Sequence, residues 1–189
     1  MVSMDNCAQN GKKLRDGVLA VARGWQEREL VPAAFLDWLE NPACVSFPWS
    51  MIDKITPHPS EKVKEALEGL GLADMTISKT NTGTLIAPFV NTEITEYLVL
   101  EDAFPNGRPD PEKAGVYLTD RTTVEKAEKM KVGTCLNPLH TALAVYGCLL
   151  GYTSISAEMG DPDLRALVEH IAEESLPVVE DPGILSPRA

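Results

Sequence analysis

A lysine, an asparagine and a histidine lie close together in one stretch of the sequence. Residues 128–140 read E-K-M-K-V-G-T-C-L-N-P-L-H and place Lys131, Asn137 and His140 within about three helical turns. Asn137 and His140 are three residues apart, so they share a face if the segment is helical. A strongly apolar segment follows, and a lysine held against an apolar wall becomes neutral more readily because its charged form loses solvation.

These residue types together meet the needs of alcohol oxidation. A neutral lysine amine can accept the hydroxyl proton, an asparagine amide can donate to a developing oxyanion, and a histidine can orient a hydroxyl. Each also has an ordinary structural explanation. Asn137 before Pro138 suits a helix N-cap, His140 suits a hydrogen-bonded structural histidine, and Lys131 suits a solvated helix surface. Spacing alone leaves these alternatives open.

Composition and charge exclude several classes of protein. The chain has 189 residues, 44% of them hydrophobic and 24% charged, which is enough for one domain or for parts of two. A net charge of −11 argues against binding to nucleic-acid phosphates or to an anionic membrane. The scattered cysteines and histidines predict neither a disulfide framework nor a metal site. The absence of an export signal predicts a cytoplasmic location.

Helical periodicity dominates the first part of the chain. It predicts helices over 12–25, from Pro32 to about residue 41, and from the N-cap Ser60 through Leu70, closed by Gly71.

A short β-rich region follows, and the rest of the chain is helical. Strands are predicted over 75–77, 84–86 and 94–100, where β-branched and aromatic residues are frequent. Helical periodicity returns at Thr122 and continues to Ser175, with Asp161-Pro162 as the capped start of the last helix. The change of pattern predicts a domain boundary near residue 120.

Four segments of the chain match known motifs in a known order. Residues 5–11 read D-N-C-A-Q-N-G, residues 47–57 read F-P-W-S-M-I-D-K-I-T-P, and residues 100–109 read L-E-D-A-F-P-N-G-R-P. They resemble D-N-x-x-x-N-G, F-P-x-T-M-V-D-R-I-x-P and I-E-D-x-F-x-x-G-R-P of the mannitol dehydrogenase family, the polyol-specific long-chain dehydrogenases. Residues 128–140 resemble the lysine–asparagine–histidine signature of the same family. The four matches together are much more specific than any one of them.

The resemblance implies a role for each candidate residue. Lys131 would be the general base, Asn137 one arm of an oxyanion-stabilising pair, and His140 a hydrogen-bond partner of the substrate hydroxyls. Asp5 would lie near the substrate pocket, and Glu128 would help to relay the proton that Lys131 releases. From the residues alone, Asp5 could equally be a turn or cap residue.

The spacing inside the signature departs from the family pattern. Family members usually have four residues between the lysine and the asparagine, whereas this chain has five, 132–136. One extra residue rotates the lysine by about 100° on a regular helix, so a bulge or break at Gly133 would be needed to restore the face. Lys129 is the competing base, but Glu128 three residues before Lys131 favours Lys131.

The resemblance covers essentially the whole chain but only about the middle third of a family enzyme. It implies a mainly α fold with a small β component. Residues 1–120 would be the C-terminal portion of a Rossmann-type dinucleotide-binding domain, and residues 121–189 the beginning of an all-helical domain like that of 6-phosphogluconate dehydrogenase. The glycine-rich cofactor turn and the other oxyanion asparagine would precede the chain, so no cofactor-binding residue is predicted within it.

The implied reaction is reversible hydride transfer between NAD(H) and C2 of a polyol, ketose or keto-uronate. The choice between NAD and NADP stays open, and D-mannonate/fructuronate is slightly favoured over mannitol/fructose. The expected partners are a small sugar alcohol or sugar acid and the remainder of a parent polypeptide, without which the chain would be inactive. The alternatives are a non-catalytic helical binding module on the same scaffold and a sugar-phosphate dehydrogenase acting on substrates such as mannitol 1-phosphate.

Overall fold

The structure is a computed structural model whose description covers residues 1–52, 54, 56–92 and 97–187. Asp53 and Ile55 of the second motif, and the first part of the predicted strand 94–100, lie outside these residues. Apart from two 3-10 helices, Pro111–Ala114 and Leu176–Val178, the secondary-structure elements in chain order are α1 (Asn10–Glu27), α2 (Ala33–Glu40), β1 (Ser50–Met51), α3 (Glu61–Gly69), β2 (Ser78–Lys79), β3 (Leu85–Ile86), β4 (Val99–Glu101), β5 (Tyr117–Thr119), α4 (Arg121–Glu128), a π-helix (Lys129–Leu136), α5 (Asn137–Leu150), α6 (Ile155–Glu158) and α7 (Pro162–Ser175).

The chain divides into two units. One contains Met1–Ile52 together with Tyr97–Ala189, and the other is Asp53–Glu96. The elements on both sides of residue 120 belong to the first unit, in which α4 packs on β1 and β4. The division of the parent enzyme at residue 120 remains a prediction.

Helices α1 and α2 pack together through part of the apolar surface of α1. Leu19 and Ala22 of α1 and Leu39 of α2 are buried in one cluster, and half-buried apolar side chains extend it. Ala22 and the half-buried Val18 belong to the stripe that helical spacing predicts, whereas Val21 and Trp25 of the same stripe are exposed, so only one side of it is removed from water. Both helices lie where the sequence places them.

Three short strands form the sheet of the first unit in the order β1-β4-β5. β1 is antiparallel to β4, with Ser50 opposite Leu100, and β4 is parallel to β5, with Leu100 opposite Leu118. Val99 and Met51 of this sheet are buried against Val124 and other residues of α4. The sheet therefore forms the support on which the long helical segment rests.

The second unit contains α3 and a β-hairpin. β2 pairs antiparallel with β3, with Ser78 opposite Ile86. The strand predicted at 75–77 was wrong, because β2 begins only at Ser78, whereas β3 begins one residue later than predicted. Gly71 adopts a left-handed conformation just after α3, as predicted. Ser60 is the N-cap residue of α3, as predicted, and its backbone is extended, but its side chain makes no capping bond. Its backbone N–H instead donates to Oδ1 of Asn91 at 3.0 Å.

The helical end of the chain has its own buried cluster. Leu143 of α5 packs with Leu164 and Val168 of α7. Oδ1 of Asp161 accepts hydrogen bonds from the backbone N–H groups of Asp163 and Leu164, which confirms the predicted cap of α7.

No helix among the described residues is long and apolar enough to cross a membrane.

Candidate functional site

A π-helix occupies the centre of the candidate site. It runs over Lys129–Leu136 and joins α4 to α5 without a break. The backbone N–H of Asn137 donates to the carbonyl of Val132, which is an i→i−5 bond, and Oγ1 of Thr134 donates to the carbonyl of Lys129 at 2.9 Å. The segment therefore contains the irregularity that the long spacing required.

Two residues explain why the wide turn forms here. Pro138 has no N–H, so the carbonyl of Thr134 cannot receive the usual helical bond from it. Gly133 lies in the middle of the π-helix, where a Cβ atom would meet nothing within 4 Å, and glycine weakens the preference for a regular helix. The local sequence therefore lowers the cost of leaving the regular i→i−4 pattern.

The π-helix alters how the signature residues are oriented. An i→i−5 bond closes a turn that contains one residue more than the corresponding α-turn. The six-residue step from Lys131 to Asn137 therefore covers about the same rotation as a five-residue step on a regular α-helix. This rotation is the one that four intervening residues would give, so the extra residue does not turn Lys131 away from Asn137.

Asn137 is not a helix N-cap. Its backbone has φ −60° and ψ −42°, which is helical, and its side chain is exposed. A cap residue instead takes an extended conformation and accepts a bond from the next turn, and α5 has no such side-chain cap. The cap explanation was wrong because the π-helix carries the chain into α5 without an interruption.

The three signature side chains make no hydrogen bond or ion pair among the described residues. Lys131 is half-buried, and its Nζ lies 5.0 Å from the centroid of the Tyr97 ring. His140 is also half-buried, and it lies one turn beyond Asn137 on α5. Among the described residues, His140 has no hydrogen-bond partner of the kind that a structural histidine would need. All three polar groups remain available to a ligand.

Lys129 fits the role of base less well than Lys131. Its ammonium group is 3.3 Å from Oε1 of Glu125, and 62% of its side chain is exposed. An amine already held by a carboxylate is less available to a substrate hydroxyl than Lys131, which has no ion-pair partner among the described residues.

Burial changes the properties of Glu128. The carboxyl group is half-buried, and burial raises its pKa, although the nearby ammonium groups of Lys129 and Lys13 partly oppose this rise. A carboxyl group with a raised pKa exchanges its proton more readily near neutral pH, as a relay requires.

Asp5 forms a local turn. Its Oδ1 accepts the backbone N–H of Cys7 at 2.9 Å, and this bond lowers the pKa of the exposed carboxyl group. The ammonium group of Lys13 lowers that pKa further. Because Lys13 acts on both Asp5 and Glu128, the two carboxyl groups lie within electrostatic reach of one cation.

Two of the other motifs interlock in what we call the motif junction, formed by Asn10, Gly11, Phe47, Trp49 and Ser50. Nδ2 of Asn10 donates to Oγ of Ser50 at 2.8 Å, and the backbone N–H of Ser50 donates back to Oδ1 of Asn10 at 3.0 Å. A Cβ atom on Gly11 would lie 2.6 Å from the carbonyl oxygen of Phe47 and from Cδ1 of Trp49. The asparagine and the glycine of the first motif thus fix the position of the first residues of the second motif, by hydrogen bonds and by close packing.

The third motif is also structural. Oε2 of Glu101, which is buried, accepts the backbone N–H of Trp49 at 3.0 Å, and Nε of Arg121 donates to its Oε1 at 3.0 Å. Arg108 binds both carboxylate oxygens of Asp102, at 2.8 and 3.0 Å. Sequence reasoning missed the contacts of Glu101 because Trp49 and Arg121 are far from it in the chain, although the motif itself pointed to the residue.

The described residues do not fit the phosphate-binding turn of a dinucleotide. Such a turn is rich in glycine and leads from a strand into a helix. Gly69 and Gly71 instead lie at the end of α3. We therefore assign no cofactor contact to the described residues.

Comparison with known proteins adds the family context. No protein-family model matches the chain. It is 57% identical over its whole length to D-mannonate oxidoreductase of Thermotoga maritima and 36% identical, over 93% of its length, to mannitol 2-dehydrogenase of Phaeosphaeria nodorum. It covers 35% and 28% of these two proteins, so it spans about a third of the length of the curated relatives it matches.

Solved structures show the same relationship. The structure matches D-sorbitol dehydrogenase with a TM-score of 0.74 at 26% identity, over 98% of this chain and 34% of that one. It matches Pseudomonas fluorescens mannitol 2-dehydrogenase, solved with NAD and D-mannitol, with a TM-score of 0.65 at 33% identity, over 99% of this chain and 34% of that one. These matches agree with the expected coverage of about a third of an enzyme, and the chain belongs to the mannitol dehydrogenase family.

Proposed function

We propose that this chain supplies the proton-transfer part of the active site of an NAD-dependent polyol or hexuronate dehydrogenase. The observation that carries the proposal is the availability of Lys131, Asn137 and His140. They lie on one continuous helix, they have no hydrogen-bond or ion-pair partner among the described residues, and the π-helix compensates for their unusual spacing.

The chemistry follows from these side chains. The neutral amine of Lys131 accepts the proton of the reacting hydroxyl, and the Asn137 amide donates to the oxygen as it gains negative charge. His140 hydrogen-bonds a substrate hydroxyl and fixes its orientation. Glu128, whose pKa is raised by burial, passes the proton onward. Asp5 would stand at the edge of the same pocket.

The cofactor would supply the hydride chemistry from outside this chain. A bound nicotinamide cofactor would supply hydride transfer to or from the carbinol carbon. The described residues handle only the proton. The dinucleotide-binding and helical-domain assignments, the cytoplasmic location and the inactivity of the isolated chain remain predictions.

The substrate class we favour is a sugar acid, D-mannonate with its ketone fructuronate. The 57% identity with D-mannonate oxidoreductase supports this choice over mannitol, since the match to mannitol 2-dehydrogenase is only 36% identical.

The test is an NADH-oxidation assay on the full-length polypeptide that carries this chain, with fructuronate, tagaturonate and fructose as substrates. We expect fructuronate to be turned over fastest and Lys131→Ala to lower kcat by about 100-fold to 10,000-fold. The matched control is Lys129→Ala, which removes a neighbouring ammonium group and should retain activity. Full activity in Lys131→Ala would remove Lys131 from the mechanism. No turnover of any substrate in a folded protein that binds NADH would overturn the substrate class.

A further inference from the structure

We propose that Tyr97 positions Lys131 and stabilises its ammonium form, so that the reacting amine is held in place by an aromatic face. This inference rests on the proposed function, because it gives a second residue a role in the proton transfer assigned to Lys131. The contact on which it depends is the 5.0 Å distance between Nζ of Lys131 and the centroid of the Tyr97 ring.

The position of Tyr97 follows from the packing of one strand along one helix. Alternate residues of a strand point to the same side, so Val99 and Glu101 of β4 share a face, and Tyr97 lies two residues before Val99 in the segment that leads into the strand. Glu101 binds Arg121, at the start of α4. Val99 packs in one buried cluster with Val124 and Ala127, one turn and two turns farther along.

Tyr97 completes this series. Its ring packs against the same cluster, and Lys131 lies one turn beyond Ala127. Four residue steps of extended chain, from residue 101 back to residue 97, span about 13 Å, which is close to the roughly 15 Å that ten helical steps cover from residue 121 to residue 131. The register fixed at one end by the ion pair between Arg121, which is exposed, and Glu101, which is buried, therefore determines which residue meets the ring at the other.

The Tyr97 ring contacts the charged form of the lysine favourably. An aromatic face carries partial negative charge and attracts an ammonium group within about 6 Å, by about 0.5–1 kcal/mol at partly exposed sites. The neutral amine gains little from this contact. In ketone reduction the ammonium group donates the proton, so Tyr97 favours the form needed for reduction over the form needed for oxidation.

A test of the effect of Tyr97 on Lys131 requires that the other charged groups near these two residues stay unchanged. On the helix they are Glu128, three residues before Lys131, and Lys129; from α1, Lys13 acts on Glu128. None of these residues changes in the variants below, so a shift in the pH profile measures the effect of the ring at position 97 on Lys131.

The experiment compares two rings of nearly the same size at position 97 in the full-length enzyme. One variant is Tyr97→Phe, and the other carries pentafluorophenylalanine, whose face has lost its negative charge. We expect the acidic limb of the pH profile for alcohol oxidation to move to lower pH by about half a unit in the fluorinated variant relative to Tyr97→Phe. Identical profiles for the two variants would overturn the proposal.

Trp49→Leu is the matched control for stability. Trp49 packs against the same buried cluster and lies 5.1 Å from the guanidinium of Arg121, so it is the corresponding cation–π residue at the far end of α4. Trp49→Leu should lower the melting temperature and leave the pH profile in place. An equal shift of the profile in Trp49→Leu would show that cluster stability, not the ring over Lys131, sets it, and would overturn the proposal.

A second measurement needs no activity. In the 189-residue chain, the Tyr97 ring current should move the ε-methylene proton resonance of Lys131 upfield relative to that of Lys129. Tyr97→Leu should abolish this difference. If the difference is absent in the unmodified chain, Tyr97 does not hold Lys131. Failure of the proposed function would appear separately, as full activity in Lys131→Ala.

Discussion

Two asparagines show how differently the two parts of the molecule use polar groups. Asn10, in the motif junction, is 1% exposed, and both polar ends of its amide are hydrogen-bonded. Asn137, on the candidate-site helix, is exposed and has no hydrogen-bond partner among the described residues. A satisfied, buried amide stabilises a fold, whereas an unsatisfied, accessible amide can bind a ligand. The motif residues therefore divide into those that stabilise the fold and those whose polar groups can bind a ligand.

The largest effect should come from adding one methyl group to the junction. Gly11→Ala places a Cβ atom 2.6–2.7 Å from the backbone oxygens of Phe47 and Pro48, and backbone cannot move aside cheaply. We expect a loss of about 3 kcal/mol in the free energy of unfolding, measured by urea denaturation. Gly17→Ala is the control on the same helix, since its Cβ meets nothing within 4 Å and should stabilise α1 by up to about 1 kcal/mol. Equal effects of the two substitutions would remove the steric role of the junction.

The candidate-site helix should tolerate the loss of a whole residue. Deletion of Gly133 shortens the π-helix to a regular turn without rotating α5, so the free energy of unfolding should change by less than about 1 kcal/mol. Deletion of Thr141, in regular α5, rotates Leu143 by about 100° away from α7 and should cost about 3 kcal/mol. Thermal unfolding followed by circular dichroism would compare the two. A Gly133 deletion as damaging as the Thr141 deletion would show that the wide turn is not where the extra residue is absorbed.

Asn10→Ala and Asn137→Ala should separate stability from activity. Asn10→Ala leaves the buried N–H of Ser50 without an acceptor and should cost about 2 kcal/mol in the free energy of unfolding. Asn137→Ala should leave that free energy unchanged and lower kcat of the full-length enzyme by about 100-fold. Calorimetry and the reductase assay measure the two quantities. A large loss of stability in Asn137→Ala would contradict the assignment of Asn137 to ligand binding and not to stability.

The smallest effect concerns pH. Burial raises the pKa of Glu128 above its ordinary value of 4.5. The folded state then holds this proton more tightly, so the contribution of Glu128 to stability is full below the ordinary value and is lost as pH rises through the folded value. Glu128→Gln should therefore be slightly more stable than the unmodified chain at neutral pH, by a few tenths of a kcal/mol after solvent screening. The gain should disappear in acid.

Asp161→Asn gives the opposite pH dependence and serves as the control. Hydrogen bonds from the Tyr152 hydroxyl and from the backbone N–H of Leu164 lower the pKa of Asp161. Its contribution is present above the ordinary value of 3.8 and is lost as pH falls through the folded value. The variant should therefore be less stable at neutral pH and equal to the unmodified chain in strong acid. Urea titrations at several pH values would compare both variants, and the same sign in both would contradict the assigned causes.

Local pattern predicted the helices well and the polar contacts poorly. The apolar stripe of α1 and the Asp161 cap depend on neighbours within two turns, so the sequence contains them directly. Asn10 and Ser50 are forty residues apart, and Glu101 and Arg121 are twenty apart, so only the folded chain brings them together. The cap predicted at Asn137 failed because Pro138, which usually begins a helix, here lies inside one.

The candidate site was predictable only in part. Residue types and resemblance identified Lys131, and the count of five intervening residues predicted an irregular turn. Nothing in the sequence linked Lys131 with Tyr97, because their contact depends on the register between β4 and α4.

The wide turn also affects how a protein of this kind can change its length. An inserted codon in a regular helix turns every later side chain to a new direction, and the packing of α5 on α7 would be lost. A π-helix confines the insertion to one turn, so the rest of the helix keeps its neighbours. A search for the signature with one fixed spacing would therefore overlook chains like this one, and a search that allows either count should find both kinds.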